Sequence, residues 1–175
     1  MRIDYLHASK NGNGAEVASE FQARMKGAVV TVHHIRDVRP AELAPADLYV
    51  FSSPGRFGKP IRSMRRFLKK LTLPAGTRYA IITTEVLPRP NSKTGRIPTD
   101  EELARTQRVR PVMNEILQGK GLVKVAESKV HVTGLKGPLE EGWQSTVEDF
   151  ARRLSSSEAA PDSHGAEVSN AQLSH

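Results

Sequence analysis

Six residues near the start of the chain, Ser9-Lys10-Asn11-Gly12-Asn13-Gly14, are of the types that gather an anion. Before them runs an apolar-alternating segment, residues 2–7. After them Ala15, Val17, Ala18, Phe21 and Met25 recur on one face at helical spacing. A strand that turns tightly into a helix leaves several backbone N–H groups without partners, aimed at one point. The helix dipole adds partial positive charge there, so such a turn can hold a phosphate. Gly12 and Gly14 allow a positive φ and close approach of the anion. An ordinary glycine-rich turn between strand and helix has the same outline. A second group, Ser52-Ser53-Pro54-Gly55-Arg56-Phe57-Gly58-Lys59-Pro60, follows a buried strand expected at residues 47–51. Open α/β sheets bind ligands outside the carboxyl ends of neighbouring strands, where both groups fall.

The first group resembles the S-x-T-G-N-T turn with which flavodoxins hold the phosphate of FMN. Ser9, Gly12 and Asn13 match; Asn11 and Gly14 stand where hydroxyl residues are usual. The second resembles the S/T-P-x-x-F-G segment of FMN-dependent NAD(P)H:quinone oxidoreductases of the tryptophan-repressor-binding-protein type, on Ser53, Pro54, Arg56, Phe57 and Gly58. The resemblance implies that residues 53–58, Gly55 among them, wrap the isoalloxazine ring with backbone amides and the Arg56-Phe57 pair. It also implies that the loop after the fourth strand, beginning at Thr83, Thr84 and Glu85, closes the outer side of the ring. Those reductases carry T-G-G-G at that place, and this chain does not. The implied cofactor is FMN, with NADPH or NADH as electron donor and a quinone-like small molecule as acceptor. The alternative is an electron carrier for a redox partner protein. The flavin would supply the chemistry, so no side chain is assigned as a general acid or base.

Charge departs from what electron-carrier flavodoxins show, since those are typically acidic. Lys and Arg number 26 against 19 Asp and Glu, a net +7, and the body without residues 155–175 carries +10. No acidic residue occurs between Ser53 and Ile82, whereas Arg56, Lys59, Arg62, Arg65, Arg66, Lys69 and Lys70 crowd the first part of that stretch. A solvated helix face is one reading. A docking surface for an acidic partner, or for the phosphates of a pyridine nucleotide, is the other. A flavin-free nucleic-acid-binding role is disfavoured because no reading motif or interleaved aromatic platform accompanies the charge. The chain has no cysteine, which excludes disulfides, zinc-thiolate sites, iron–sulfur clusters and cysteine nucleophiles. No apolar run approaches ~18 residues and no signal peptide is evident, so a cytoplasmic protein without a membrane span is expected, with a homo-oligomer left open.

The elements that must position these loops follow from periodicity. Residues 28–35 (AVVTVHHI) read as a strand; the adjacent His33 and His34 point to opposite faces and are expected to be structural. Ile61, Met64, Phe67, Leu68 and Leu71 mark a helix by spacings of three and four. Residues 79–83 (YAIIT) read as a central strand and residues 84–98 as a long loop. Thr99 and Glu102 form a capping box, and Pro111 predicts a kink or restart in the helix that follows. Residues 122–132 supply a fifth strand, with an interruption expected near Glu127-Ser128, and residues 134–142 a connector. Trp143 opens the last helix as a packing anchor, and residues 155–175 are expected to be a disordered polar tail. Alternation of strands and helices gives an α/β fold over residues 1–154. The expected architecture is a flavodoxin-like three-layer sandwich, a five-stranded parallel sheet in the order 2-1-3-4-5.

Overall fold

The computed structural model describes residues 1–158. Strands β1 (Arg2–His7), β2 (Val29–His34), β3 (Leu48–Arg56), β5 (Arg78–Val86) and β6 (Val123–Val132) form a parallel sheet in the order β2-β1-β3-β5-β6. That is the expected order. The additional strand β4 (Lys59–Pro60) folds back antiparallel on the end of β3. Helices α1 (Asn13–Arg24) and α5 (Trp143–Glu158) cover one face of the sheet. Helices α2 (Arg62–Lys69) and α4 (Val109–Gly119) cover the other, and α3 (Asp100–Thr106) precedes α4.

Two cores result. On the first face Tyr5, Phe21 and Phe150 stack in sequence, with ring centroids 5.3 and 5.7 Å apart, and Trp143 packs at the margin as expected. On the second face Met64, Phe67, Leu68, Met113 and Leu117 meet Phe51, Tyr79 and Ile81. Strands β3 and β5 are covered on both sides, so their central residues are apolar without alternation. On α1 it is Gly14, with Val17, Ala18 and Phe21, that turns inward, while Ala15 is exposed.

Three boundaries differ from the sequence reading. Strand β3 continues past Phe51 to Arg56, and β5 past Thr83 to Val86. The ladder persists there, with Pro54 opposite Thr84 and Val86 opposite Val132. The apolar pattern ends at the ligand side of the sheet before the backbone pairing does. Strand β6 runs unbroken through Glu127 and Ser128, opposite Ile81 and Ile82. Its irregularity lies earlier, beside Tyr79 and Ala80. Helix α5 extends to Glu158, so residues 155–158 of the expected tail are helical. Ser155, Ser156 and Ser157 bond back to carbonyls of the preceding turn, and Arg78 Nη2 donates to Ser157 Oγ at 3.1 Å. The remainder of that tail lies outside the described residues. The capping box is present, Thr99 accepting from the Glu102 N–H and Glu102 from the Thr99 N–H. Pro111 sits in the first turn of α4 after a break at Gln107 and Arg108, a restart rather than a kink.

Candidate functional site

The register of the sheet brings the first two loops together. His7, the last residue of β1, lies opposite Ser52, and the Ala8 N–H donates to the Ser52 carbonyl at 3.1 Å. Residues 8–14 therefore leave the sheet directly beside Pro54. A cleft of about 370 Å³ opens between them, within the ~300–1,000 Å³ range of small-molecule sites. Ser9, Lys10, Asn11, Asn13 and Gly14 line one end. Pro54, Gly55 and Arg56 of β3 and Thr84 of β5 line its floor and flank, with Ile61, Val86 and Val132 adding apolar surface. Leu135 and Lys136 close it from the β6–α5 connector. Among the described residues, three cations and no carboxylate line this cleft.

The turn at residues 9–14 is held from several sides. Gly12 caps α1 with φ 88°, where an L side chain is strained, and Ser9 Oγ accepts from the N–H groups of Gly12 and Gly14 at 3.1 and 3.2 Å. A β-carbon on Gly14 would lie 3.0 Å from the Ser9 β-carbon, so the hydroxyl's approach depends on that glycine. His7 Nδ1 accepts from the Ser9 N–H at 3.3 Å. His34 Nδ1 accepts from the Arg36 N–H, which leaves its Nε2–H to donate to the Ser9 carbonyl at 3.0 Å. The two imidazoles meet edge to face, 5.0 Å between centroids. Burial, then the neighbouring His34 and Arg36, hold the His7 pKa below the usual 6.5, which keeps Nδ1 an acceptor. Asn11 and Asn13 donate side-chain N–H groups to the Leu135 and Lys136 carbonyls at 3.5 and 3.3 Å. A β-carbon on Gly137 would come within 2.6 Å of Asn13 Oδ1, so the connector rests tightly on the turn.

Not every residue singled out from sequence reaches the cleft. Gly12 shapes the turn without lining it. Ser53 is buried, donating to the Pro54 carbonyl at 2.9 Å and accepting from the Ile61 N–H at 3.3 Å, so it braces the hairpin from within. Phe57 stands at the hairpin tip with φ 51° and is 93 % exposed, with Arg56 beside its ring at 5.8 Å. Gly58 is pressed against the α3–α4 junction, where its carbonyl accepts from the Arg108 N–H at 2.6 Å. Thr83 and Glu85 project from the opposite side of β5 to Thr84, because successive strand residues alternate. Thr83 Oγ1 donates to Glu85 Oε2 at 2.5 Å, and Arg110 Nε approaches the same oxygen at 3.3 Å. Glu85 belongs to a separate polar recess with Arg110, Lys129 and His131. Of Thr83, Thr84 and Glu85, Thr84 alone lines the cleft.

Sequence reasoning missed the parts of the site contributed by Leu135, Lys136, His7 and His34. In sequence the connector reads as a turn, His7 only as the end of the first strand, and His34 as structural, which its brace on Ser9 agrees with. A lysine between two glycines in the segment after the last strand was the available signal for Lys136.

No family model matches this chain, and no curated protein matches it in sequence. Its fold matches solved structures. Flavodoxin 2 from Bacillus cereus superposes with a TM-score of 0.67 at 15% identity, over 90% of this chain and 99% of that one. A flavodoxin of Streptococcus pneumoniae gives 0.62 at 18% identity, over 90% and 99%. The Fusobacterium nucleatum flavodoxin, solved bound to flavin mononucleotide, gives 0.61 at 11% identity, over 89% and 98%. Similarity at these identities shows a flavodoxin-like fold, and the function has to be argued from the site.

Proposed function

We propose that this chain binds FMN in the cleft at the carboxyl ends of β1, β3 and β5, and that it is a redox protein. The carrying observation is the composition of that cleft. One end offers a helix N-terminus, the Ser9 hydroxyl and the Lys10 and Lys136 side chains; the rest is walled by Pro54, Ile61, Val86 and Val132. A phosphate monoester attached to a flat apolar ring system suits that division, and the absence of any carboxylate from the lining suits an anion. One of the solved structures of this fold is a flavodoxin bound to flavin mononucleotide.

Bound there, FMN supplies reversible one- and two-electron chemistry, and the protein positions it and sets its electrostatics. Ser9 to Gly14 would hold the phosphate, and His7 and His34 fix the N–H and the carbonyl of Ser9 respectively, so that the turn keeps its shape. Pro54, Ile61 and the two valines exclude water. Arg56 places a positive charge at the flank, which favours electron density nearby and raises the reduction potential. The wording of residues 53–58 supports hydride transfer from NADPH or NADH and reduction of a quinone-like acceptor. A second reading, a carrier for a protein partner, is supported by the exposed basic face next to the cleft.

Two measurements test this. Titration of the purified protein with FMN should quench flavin fluorescence at one equivalent; no quenching would end both readings. Anaerobic mixing of the FMN-loaded protein with NADPH or NADH should bleach its visible absorbance, and a benzoquinone should restore it. Bleaching by a reductase protein and by neither nucleotide would leave the carrier.

A further inference from the structure

The basic residues that follow the hairpin are arranged as a surface. On α2, Arg62, Arg66, Lys69 and Lys70 recur at spacings of four, three and one, and all are exposed. They form one face opposite the buried Met64, Phe67 and Leu68. Arg56 and Lys59 continue this face onto the hairpin, where they lie opposite each other across the β3–β4 pair.

None of these six cations has a carboxylate within ion-pair distance among the described residues. Some cations elsewhere are paired, as Arg24 is with Glu20 and Glu148, Arg96 with Glu102, and Arg110 with Glu85 and Glu127; these six differ in lying together on one helix and the hairpin beside it. Part of the charge on α2 is also placed against local stability, although Arg66 and Lys69 in its last turn suit the dipole. Its first turn holds Arg62 and no acidic residue, although the dipole there favours anions, and Arg62–Arg66 and Arg66–Lys70 are like-charge pairs four residues apart. A solvated helix face selected for stability would carry opposite charges at those spacings.

Size identifies the partner. From Arg62 to Lys70 the stripe runs about 12 Å at 1.5 Å per residue, before the hairpin is added. A nucleotide phosphate occupies two or three cations, whereas this face extends beyond the screening length of ~8 Å at physiological salt. Nucleic acid fits less well. Phe57 is the one aromatic side chain on the face, and single strands are held by successive stacking platforms. Arg56 belongs both to this face and to the cleft lining, so a protein docked on it stands at the cleft's mouth.

We infer that the face formed by the β3–β4 hairpin and α2 docks an acidic electron-transfer protein, with Arg56 at the junction between docking surface and redox site. The identity of the partner as a redox protein rests on the FMN reading above; the docking of an acidic protein does not. The probe is a small acidic iron–sulfur ferredoxin, titrated by calorimetry against the full chain with and without FMN.

Binding is expected to weaken at least about tenfold in the variant R62E/R66E/K69E, and similarly when salt rises from ~50 to ~200 mM. The control R24E/R105E, on cations that already have carboxylate partners, should bind as the parent does. Equal weakening by both variants, or none by either, would overturn the proposal. So would tighter, equally R62/R66/K69-dependent binding of a DNA duplex or of phosphatidylserine-rich vesicles. Normal docking by a protein that takes up no FMN would retain the acidic partner and reject its redox role. Circular dichroism confirms that the variants are folded.

Discussion

The turn at residues 9–14 and the hairpin at residues 53–60 both border the cleft, yet they are built in opposite ways. The turn is tied down: Ser9 is held by His7, by His34 and through its own hydroxyl, and Asn11 and Asn13 are tied to the connector after β6. The hairpin projects. Ser53 braces its root and Gly58, in its two-residue turn, rests on the α3–α4 junction, but the neighbouring Phe57 is exposed and Arg56 and Lys59 meet no carboxylate among the described residues. A segment that fixes a ligand needs converging donors with no freedom, whereas one that meets a partner needs exposed charge on a firm base. The build of the two loops suits the two tasks proposed for them.

The largest effect should come from the seat of the hairpin turn on the α3–α4 junction. A β-carbon on Gly58 would lie 1.8 Å from the Thr106 carbonyl oxygen, at a φ of +71°. Gly58→Val is expected to cost about 3 kcal/mol or more, read as a lowered urea midpoint, through overpacking and backbone strain together. An unchanged midpoint would show that the hairpin is not seated on the α3–α4 junction.

Gly12→Val separates strain from crowding in the turn. Its φ is +88°, but nothing lies within 4 Å of an added β-carbon, so the folded protein loses only about 1–2 kcal/mol from conformation. FMN affinity should fall by at least about tenfold, because the turn's donors are re-aimed. Retained affinity would move the phosphate elsewhere.

The histidine clamp predicts a pH dependence. His7 titrates below 6.5 in the folded chain, so the unfolded chain binds more protons in the window beneath 6.5. Its contribution is fully present above pH 6.5 and is lost as pH falls toward the depressed folded value. His7→Gln keeps an acceptor for the Ser9 N–H without titrating. Its urea midpoint should fall less than the parent's between pH 7.5 and 5.5, by under about 1 kcal/mol of difference. Parallel pH curves would remove His7 from the clamp's energetics. The smallest effect is expected at the tip. Phe57→Ser should alter stability by no more than about 0.5 kcal/mol, since the side chain is 93 % exposed. A larger loss would mean that the tip packs against the protein.

Much of this molecule was legible in order of residues alone. Apolar runs and 3–4 spacings set the strands, the helix faces and the alternation that makes a parallel sheet, because burial imposes those periods locally. The anion turn was legible for the same reason: strand, glycines and helix are consecutive, so its geometry is decided within a dozen residues. The capping box at Thr99 and the restart before Pro111 are likewise local. What only tertiary structure decided is where side chains from distant segments point. Residues 52–56 and 84–86 are polar enough to read as loops, but pairing with neighbouring strands keeps them in the sheet. That pairing puts Thr84 in the cleft and turns Thr83 and Glu85 to the other face, since the pleat alternates whatever the residue type. Lys136 lies more than 120 residues from the turn it meets, and His34 acquires its role from the register of β2 against β1. No periodicity within a segment encodes such meetings, because they depend on how the sheet is ordered and in what register its strands lie.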